Sequence, residues 1–356
     1  MNRTTVIAEA GVNHNGSLEL ALELVMAAAK AGADIVKFQT FNADAMVSHC
    51  AQKADYQKAT TGSDETQLEM LKRYELSERD HIAIIKRCEA CGIEFLSTPF
   101  DIPSLELLEK LGLKRYKLSS GDITNWPLIH RIGMTGKPLI MSTGMSTLDE
   151  VRGALGVFLL GALEPDRIPN EKTLNDICTS STGKAYLETN MTLLHCTTQY
   201  PTPLEDVNLL AMDLLQETFG LTVGCSDHTE GILVSVCAAA RGASVIEKHF
   251  TLDKNLPGPD HRASITPDEF AELVREVRMV ERVLGKKEKS VTESEKSNIK
   301  IARKSLVALE DVAQGEIFSP DNLGGKRPAD GISPTRYWEF LGKVANRNYM
   351  RGERIR

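Results

Sequence analysis

The chain has 356 residues, 42% of them apolar and 26% charged, with a formal net charge of −7. That length predicts one large domain plus a small one, and the mildly acidic balance excludes a global basic field for nucleic acid. The longest apolar stretches, such as VFLLGAL and ILVSVCAAA, fall far below the roughly 20 residues a membrane span needs.

The N-terminus enters the strand-like TTVIAEAG directly, so no signal peptide is predicted. This first strand (4–11) carries Glu9 and is followed by Asn13, His14 and Asn15. LELALELVMAAAKAG reads as an amphipathic helix stopped at Gly32. The second strand (34–41) presents Lys37 and Gln39. The long polar loop at 42–74, with Tyr56, Gln57 and Gln67, is placed to cover a substrate. SERDHIAIIKRCEACG is a helix with Ser77 as cap and Gly92 as stop. Its Cys88 and Cys91 have no second pair with which to build a zinc site. The seven scattered cysteines predict a reduced, cytoplasmic protein.

Six further strand-like runs follow at 94–100, 115–122, 138–145, 191–200, 221–229 and 244–252, most with a helical pattern between them. Several lack strict alternation, as expected where helices cover a parallel sheet. Neither GxGxxG nor a Walker loop occurs, which argues against an open nucleotide-binding sheet. The expected fold is therefore a (β/α)8 TIM barrel over 1–284. The segment 162–190 is longer than a barrel connection needs, and an added helix or a surface excursion is expected there. The charged GKKEKSVTESEKSNIK reads as a linker over 285–300, and 301–356 as a small domain with short strands and a marginal core.

In such a barrel the strand C-termini carry the active site. Here they offer Thr98, then Lys117, Ser119, Ser120 and Asp122, then Ser142 and Thr143. The sixth strand offers His195, Thr197, Thr198 and Tyr200. The last two offer Ser226, Asp227 and His228, and Glu247, Lys248 and His249. Two lysines with a ring of hydroxyls form an anion cradle. His228 and His249 suit a borderline divalent ion such as Mn²⁺, Co²⁺, Fe²⁺ or Zn²⁺ better than Mg²⁺. His14 and His195 read as core histidines. Glu9 is placed to stabilise a developing cation or to move a proton.

The segments IAEAGVNHNG, KFQTF, FLSTPFD, MSTGM, LLHCTTQYPTP, GCSDHT, EKHFTLDKNLPGPDH and KRPADGISP closely resemble, in order, the sialic acid (nonulosonate) synthase family. That family includes N-acetylneuraminate and N,N′-diacetyllegionaminate synthases. The resemblance implies a barrel followed by a C-terminal antifreeze-like (SAF) domain, in a domain-swapped homodimer. It implies condensation of phosphoenolpyruvate with an open-chain N-acyl-mannosamine-type sugar, with release of phosphate. It implies a divalent metal, Mn²⁺ first and Co²⁺ or Mg²⁺ as substitutes, on His228 and His249. Glu9, Lys37 and Lys117 are then the catalytic residues. Lys37, Thr98, Lys117, Ser120, Ser142 and Ser226 become the phosphoenolpyruvate contacts. Gln39, Tyr200, Glu247, Asp260 and Arg327 become the sugar contacts, with Arg327 lent by the neighbouring subunit. IAEAGV, KADYQKAT and LLHCTTQYP lie closer to the legionaminate branch. Ser119-Ser120-Gly121-Asp122 stands where many members have Gly-Ser-Gly-Glu, Thr198 where some have Asn, and KRPADG replaces the commoner KRPGNG. The rival readings are a 3-deoxy-octulosonate phosphate synthase type of enzyme and a carbohydrate- or ice-binding protein. The first would want a second cation cluster, and the second needs neither barrel nor histidine pair.

Overall fold

The computed structural model describes residues 3–48, 51–53 and 66–356. The chain divides into two units, Met1–Gly285 and Lys286–Arg356. In the first, eight short apolar runs form β1 (Thr5–Gly11), β2 (Ile35–Thr40), β3 (Glu94–Pro99), β4 (Tyr116–Leu118), β5 (Leu139–Ser142), β6 (Met191–Cys196), β7 (Thr222–Asp227) and β8 (Val245–His249). All the ladders among them are parallel, in the order β3-β2-β1-β8-β7-β6-β5-β4, and β3 lies beside β4 to close the ring. The result is a (β/α)8 barrel.

Local signals set the helix ends. Ser17 Oγ accepts from the Leu20 amide at the start of Leu18–Lys30, and Ser77 with Asp80 forms a capping box on Glu78–Cys91. Thr147 with Glu150 and Thr266 with Glu269 do the same for Leu148–Leu163 and Pro267–Leu284. Helix faces and outer strand faces share one core that includes Val6, Ala8, Phe38, Tyr116, Met141 and Phe250. No helix of the described residues is long and apolar enough to cross a membrane.

The strands are shorter than their apolar-to-polar runs suggest. After Leu118 the chain turns into a 3-10 helix at Ser120–Asp122, where the Asp122 carboxylate accepts from Ser119 Oγ at 2.6 Å. The stretch 162–190 holds two helices, Glu171–Thr179 and Ser181–Asn190, which bury Leu174, Ile177 and Leu187.

In the second unit, β9 (Ser305–Ala308) pairs antiparallel with β10 (Leu323–Lys326). Isolated bridges join Val312 to Tyr349 and Ile317 to Val344. Leu306, Val312, Phe318, Leu323, Tyr349 and Ile355 give this unit a core of its own. The expected linker at 285–300 differs from the structure, which has a helix at Glu293–Ala302. Thr292 and Glu295 cap it, Lys296 pairs with Glu293, and no residue of it is buried, so its charged composition reflects a solvated helix.

Candidate active site

Side-chain alternation builds the site in two layers. Ile7, Ile35, Leu96, Ile140, Leu194 and Val245 fill the barrel interior as one apolar cluster. Two residues further along the same strands stand Glu9, Lys37, Thr98, Ser142, Cys196 and Glu247, on the same inward face. They line a cavity of about 580 Å³. Of the predicted site residues, Glu9, Lys37, Gln39, Thr98, Lys117, Ser120, Ser142, Tyr200, Ser226, His228, Glu247, His249 and Asp260 all line it.

Buried charges of both signs form the floor. Lys37 Nζ lies 2.8 Å from Glu9 Oε2, 3.4 Å from Glu247 Oε2 and 3.1 Å from Thr98 Oγ1. Lys117 Nζ lies 3.4 Å from Glu247 Oε1, which also accepts from Ser226 Oγ at 2.8 Å. The two carboxylates are pushed apart. Burial raises Glu9 above its usual pKa despite Lys37, with the Glu247 charge adding to the rise. At Glu247 burial is outweighed by Lys117 and Lys37, and the carboxyl stays well below its usual range. Opposed shifts in one cavity are the pattern of an acid–base pair.

Beside Lys117 the cavity wall is made of donors. Ser142 Oγ and Thr198 Oγ1 are buried and have no hydrogen-bond partner among the described residues. The Gly144 amide donates to Ser120 Oγ at 3.0 Å. A Cβ on Gly144 would stand 2.5 Å from Thr198 Oγ1 and 2.8 Å from Ser120 Oγ, so glycine is required for the hydroxyls to gather here. Buried hydroxyls without partners beside an ammonium suit an anion.

The imidazoles of His228 and His249 stand opposite each other, with ring centroids 5.4 Å apart. His228 Nδ1 lies 2.8 Å from the Thr197 carbonyl, which only accepts, so Nδ1 carries the proton. Its Nε2 lies 3.2 Å from Tyr200 Oη and 3.5 Å from Ser226 Oγ, and although burial lowers the pKa of this ring, Cys196 and the Thr197 carbonyl outweigh it and raise the pKa above its usual value. His249 Nδ1 is buried without a partner, and burial, then the charges of His228 and Lys37, hold this ring well below the usual pKa. Two imidazoles at this spacing, each with one ring nitrogen deprotonated, can share one ion at metal–nitrogen distances of about 2.1 Å. No cluster of three His, Cys, Asp or Glu side chains fit to hold an ion occurs among the described residues. Such a site would leave positions open for oxygen ligands, as catalytic sites do.

The remaining wall faces Gln39 and Asp260. Gln39 Nε2 donates to Glu9 Oε1 at 3.2 Å. Burial, then the Glu9 charge, raises the Asp260 carboxyl to about 7. The covering loop contributes Met46, Gln67, Met70, Leu71 and Tyr74, with Phe100 beside them. Tyr56 and Gln57 lie outside the described residues.

Other strand-end residues point elsewhere. Asp227 takes Thr229, Ser235 and Lys248, so neither Asp227 nor Lys248 faces the cavity. His195 donates to the Val207 carbonyl and His14 accepts from the Gly16 amide. Arg327 lies exposed in the second unit, with Nε donating to the Ala302 carbonyl. Cys196, unassigned from sequence, lines the cavity with Sγ 3.6 Å from His228 Nδ1.

The NeuB family matches residues 24–289, and the SAF domain matches 303–356. The chain belongs to the NeuB family. Within it, the chain is 49% identical over 356 residues to N,N′-diacetyllegionaminic acid synthase of Campylobacter jejuni, covering 100% of both. It is 45% identical to the Legionella pneumophila enzyme of the same name, covering 98% of this chain and 92% of that one. Among solved structures, the N-acetylneuraminic acid synthetase of Leptospira borgpetersenii, in complex with citrate, superposes with a TM-score of 0.67. It shares 30% identity over 84% of this chain and 90% of that one. The family read from the eight motifs is the one these matches give.

Proposed function

We propose that this protein is a cytoplasmic, divalent-metal-dependent nonulosonate synthase that condenses phosphoenolpyruvate with an open-chain N-acyl-mannosamine-type sugar. The observation that carries this reading is the convergence in one cavity of two buried ammonium groups, unpartnered hydroxyls, two imidazoles and a split carboxylate pair. Membership of the NeuB family supports the same chemistry.

In this reading Lys37 and Lys117 hold the phosphate and carboxylate of phosphoenolpyruvate. Thr98, Ser120, Ser142 and Ser226 donate to their oxygens. Gln39, Tyr200, Glu247 and Asp260 hold the sugar with its aldehyde carbon facing C3 of phosphoenolpyruvate, which makes the encounter positional. His228 and His249 would hold the divalent ion, expected to be Mn²⁺ with Co²⁺ or Mg²⁺ as substitutes, which supplies Lewis-acid polarisation when bound. C3 attacks the aldehyde carbon and positive charge develops at C2, where Glu9 stabilises it. Water adds at C2, one of its protons passing by way of Glu9 to the former aldehyde oxygen, and the tetrahedral intermediate expels phosphate by C–O cleavage, the other proton leaving with it as the 2-keto group forms.

The acceptor is either N-acetylmannosamine or 2,4-diacetamido-2,4,6-trideoxymannose. The wall of Met46, Met70, Leu71 and Phe100 favours the second, which carries a methyl at C6 and an acetamido group at C4. A hydroxyl buried there without a partner costs about 1–3 kcal/mol. The diacetamido sugar is therefore expected to have a kcat/KM roughly 10–100-fold higher in a phosphate-release assay. Equal or inverted values would overturn this choice of acceptor. No phosphate release with either sugar would overturn the synthase reading.

We also propose a homodimer in which Arg327 completes the neighbouring subunit's pocket. Arg327→Ala is expected to raise the acceptor KM by roughly 10–100-fold, the worth of one charged hydrogen bond. Light scattering should give twice 39.2 kDa for both proteins. An unchanged KM would remove Arg327 from the site, and a monomeric mass would remove the dimer.

A further inference from the structure

The segment between β8 and the helix Pro267–Leu284 carries Asp260 to the cavity. It is joined to the stretch just after β1 by the side chains of Asn13 and Asn15. Asn13 is buried, and its Nδ2 donates at 2.9 Å both to the Phe250 carbonyl and to Ser264 Oγ. One amide group thus ties together the two ends of a 250–264 loop. Ser264 Oγ passes the connection on, donating to the Asp260 carbonyl at 2.7 Å.

A second contact lies next to Asp260 in the chain. His261 is fully buried, with Nε2 3.1 Å from Asn15 Oδ1 and Nδ1 2.7 Å from Thr251 Oγ1. Gly258 (φ +152°) lets the loop pass close by, since a Cβ there would stand 2.7 Å from Asn15 Oδ1. The Phe250 amide donates to the Glu9 carbonyl at 2.8 Å, so the first residue of the loop is held against the strand that bears Glu9. A Cβ on Gly11 would stand within 3.7 Å of Asp260 Oδ2, Glu9 Oε1 and Gln39 Nε2 alike, which shows how closely these three groups converge.

We infer that Asn13 is a positioning residue: acting through Ser264, it fixes Asp260 at the acceptor end of the cavity. The inference rests on the reading of Asp260 as a sugar contact. A buried carboxyl on a loop is useful for recognition only if its backbone is held, and this loop is held by side-chain bonds to the stretch just after β1.

The test compares Michaelis constants for the two substrates. Ser264→Ala and Asn13→Ala are each expected to raise the acceptor KM roughly 10–100-fold, leaving the phosphoenolpyruvate KM within about twofold. In an Asp260→Ala background, Ser264→Ala should change the acceptor KM less than about twofold, because the group it positions is gone. Ser264→Thr, which keeps the hydroxyl, should restore most of the affinity. A flat acceptor KM, an equal rise in both constants, or an undiminished effect in the Asp260→Ala background would each overturn the inference. If Asn13→Ala melts below the assay temperature, Ser264→Ala, which removes a single oxygen, carries the test. Absence of turnover in the unaltered enzyme would instead sink the reading of Asp260 on which the inference stands.

Discussion

Lys37→Met is expected to end phosphate release and to lower the free energy of unfolding by about 3–5 kcal/mol. Burial alone would discharge this ammonium, but Glu247 and Glu9 outweigh it and hold its pKa above the ordinary lysine value. It is therefore a cation at any working pH. Its removal leaves Glu9 facing Glu247 with one compensating charge fewer. Glu9 is already raised by burial, and loss of Lys37 raises it further. A carboxyl whose folded pKa is raised contributes stability at low pH that is lost as pH rises through that folded value. The deficit of Lys37→Met relative to the parent should therefore be smaller at pH 5 than at pH 8. Adding Glu9→Gln should recover much of the stability and none of the turnover. Denaturant unfolding at both pH values separates the two effects. Turnover within about tenfold of the parent would remove Lys37 from the reaction.

The site was legible because the barrel repeats one local rule. Ile7 and Glu9, Ile35 and Lys37, and Val245 and Glu247 are the same step of two taken from the apolar interior layer to the charged floor of the cavity. The same rule, applied strictly, separates Asp227 and Lys248 from their neighbours. Ser226 and His228 face the cavity while Asp227 faces outward, and Lys248 lies between two inward residues in the same way. Taking strand-end polar residues as groups obscured that distinction. Cys196 was illegible for a different reason. Its step from Leu194 is correct, but a thiol ending an apolar run reads as core, and only its approach to His228 gives it significance.

The wall of Met46, Met70, Leu71 and Phe100 was legible only in that a loop at 42–74 was placed to cover the substrate, not as an apolar face. It is assembled from short segments far apart in sequence, too brief for any periodicity to announce a shared face. The helix at Glu293–Ala302 was hidden by composition. Its capping box lies in a run of charge with no apolar stripe, and packing reveals nothing of it because no face is buried. Clamp residues such as Asn13 were visible as strand-end polar groups, but their partners lie roughly 240–250 positions away.

His249→Ala is expected to abolish metal binding and to reduce turnover by about 10³-fold or more, with little change in the metal-free fold. The ring is neutral and buried, and Nδ1 has no protein partner among the described residues. Deleting it relieves an unsatisfied polar group, about 1–3 kcal/mol, and opens a small cavity of opposing effect. The metal-free melting temperature should therefore move little. His228→Ala differs, because it also strips the Thr197 carbonyl and Tyr200 Oη of a partner. It should cost about 1 kcal/mol more in the metal-free protein. Divalent ion at a hundredfold excess over its dissociation constant should stabilise the parent by about 2.7 kcal/mol and neither variant. Thermal melts with chelator and with Mn²⁺, alongside elemental analysis, read this without any assay of turnover. A metal-dependent shift in His249→Ala equal to that of the parent would place the ion elsewhere. The two imidazoles would then be left as mere packing around Tyr200, whose ring centroid stands 4.2 Å from that of His228 and 5.5 Å from that of His249.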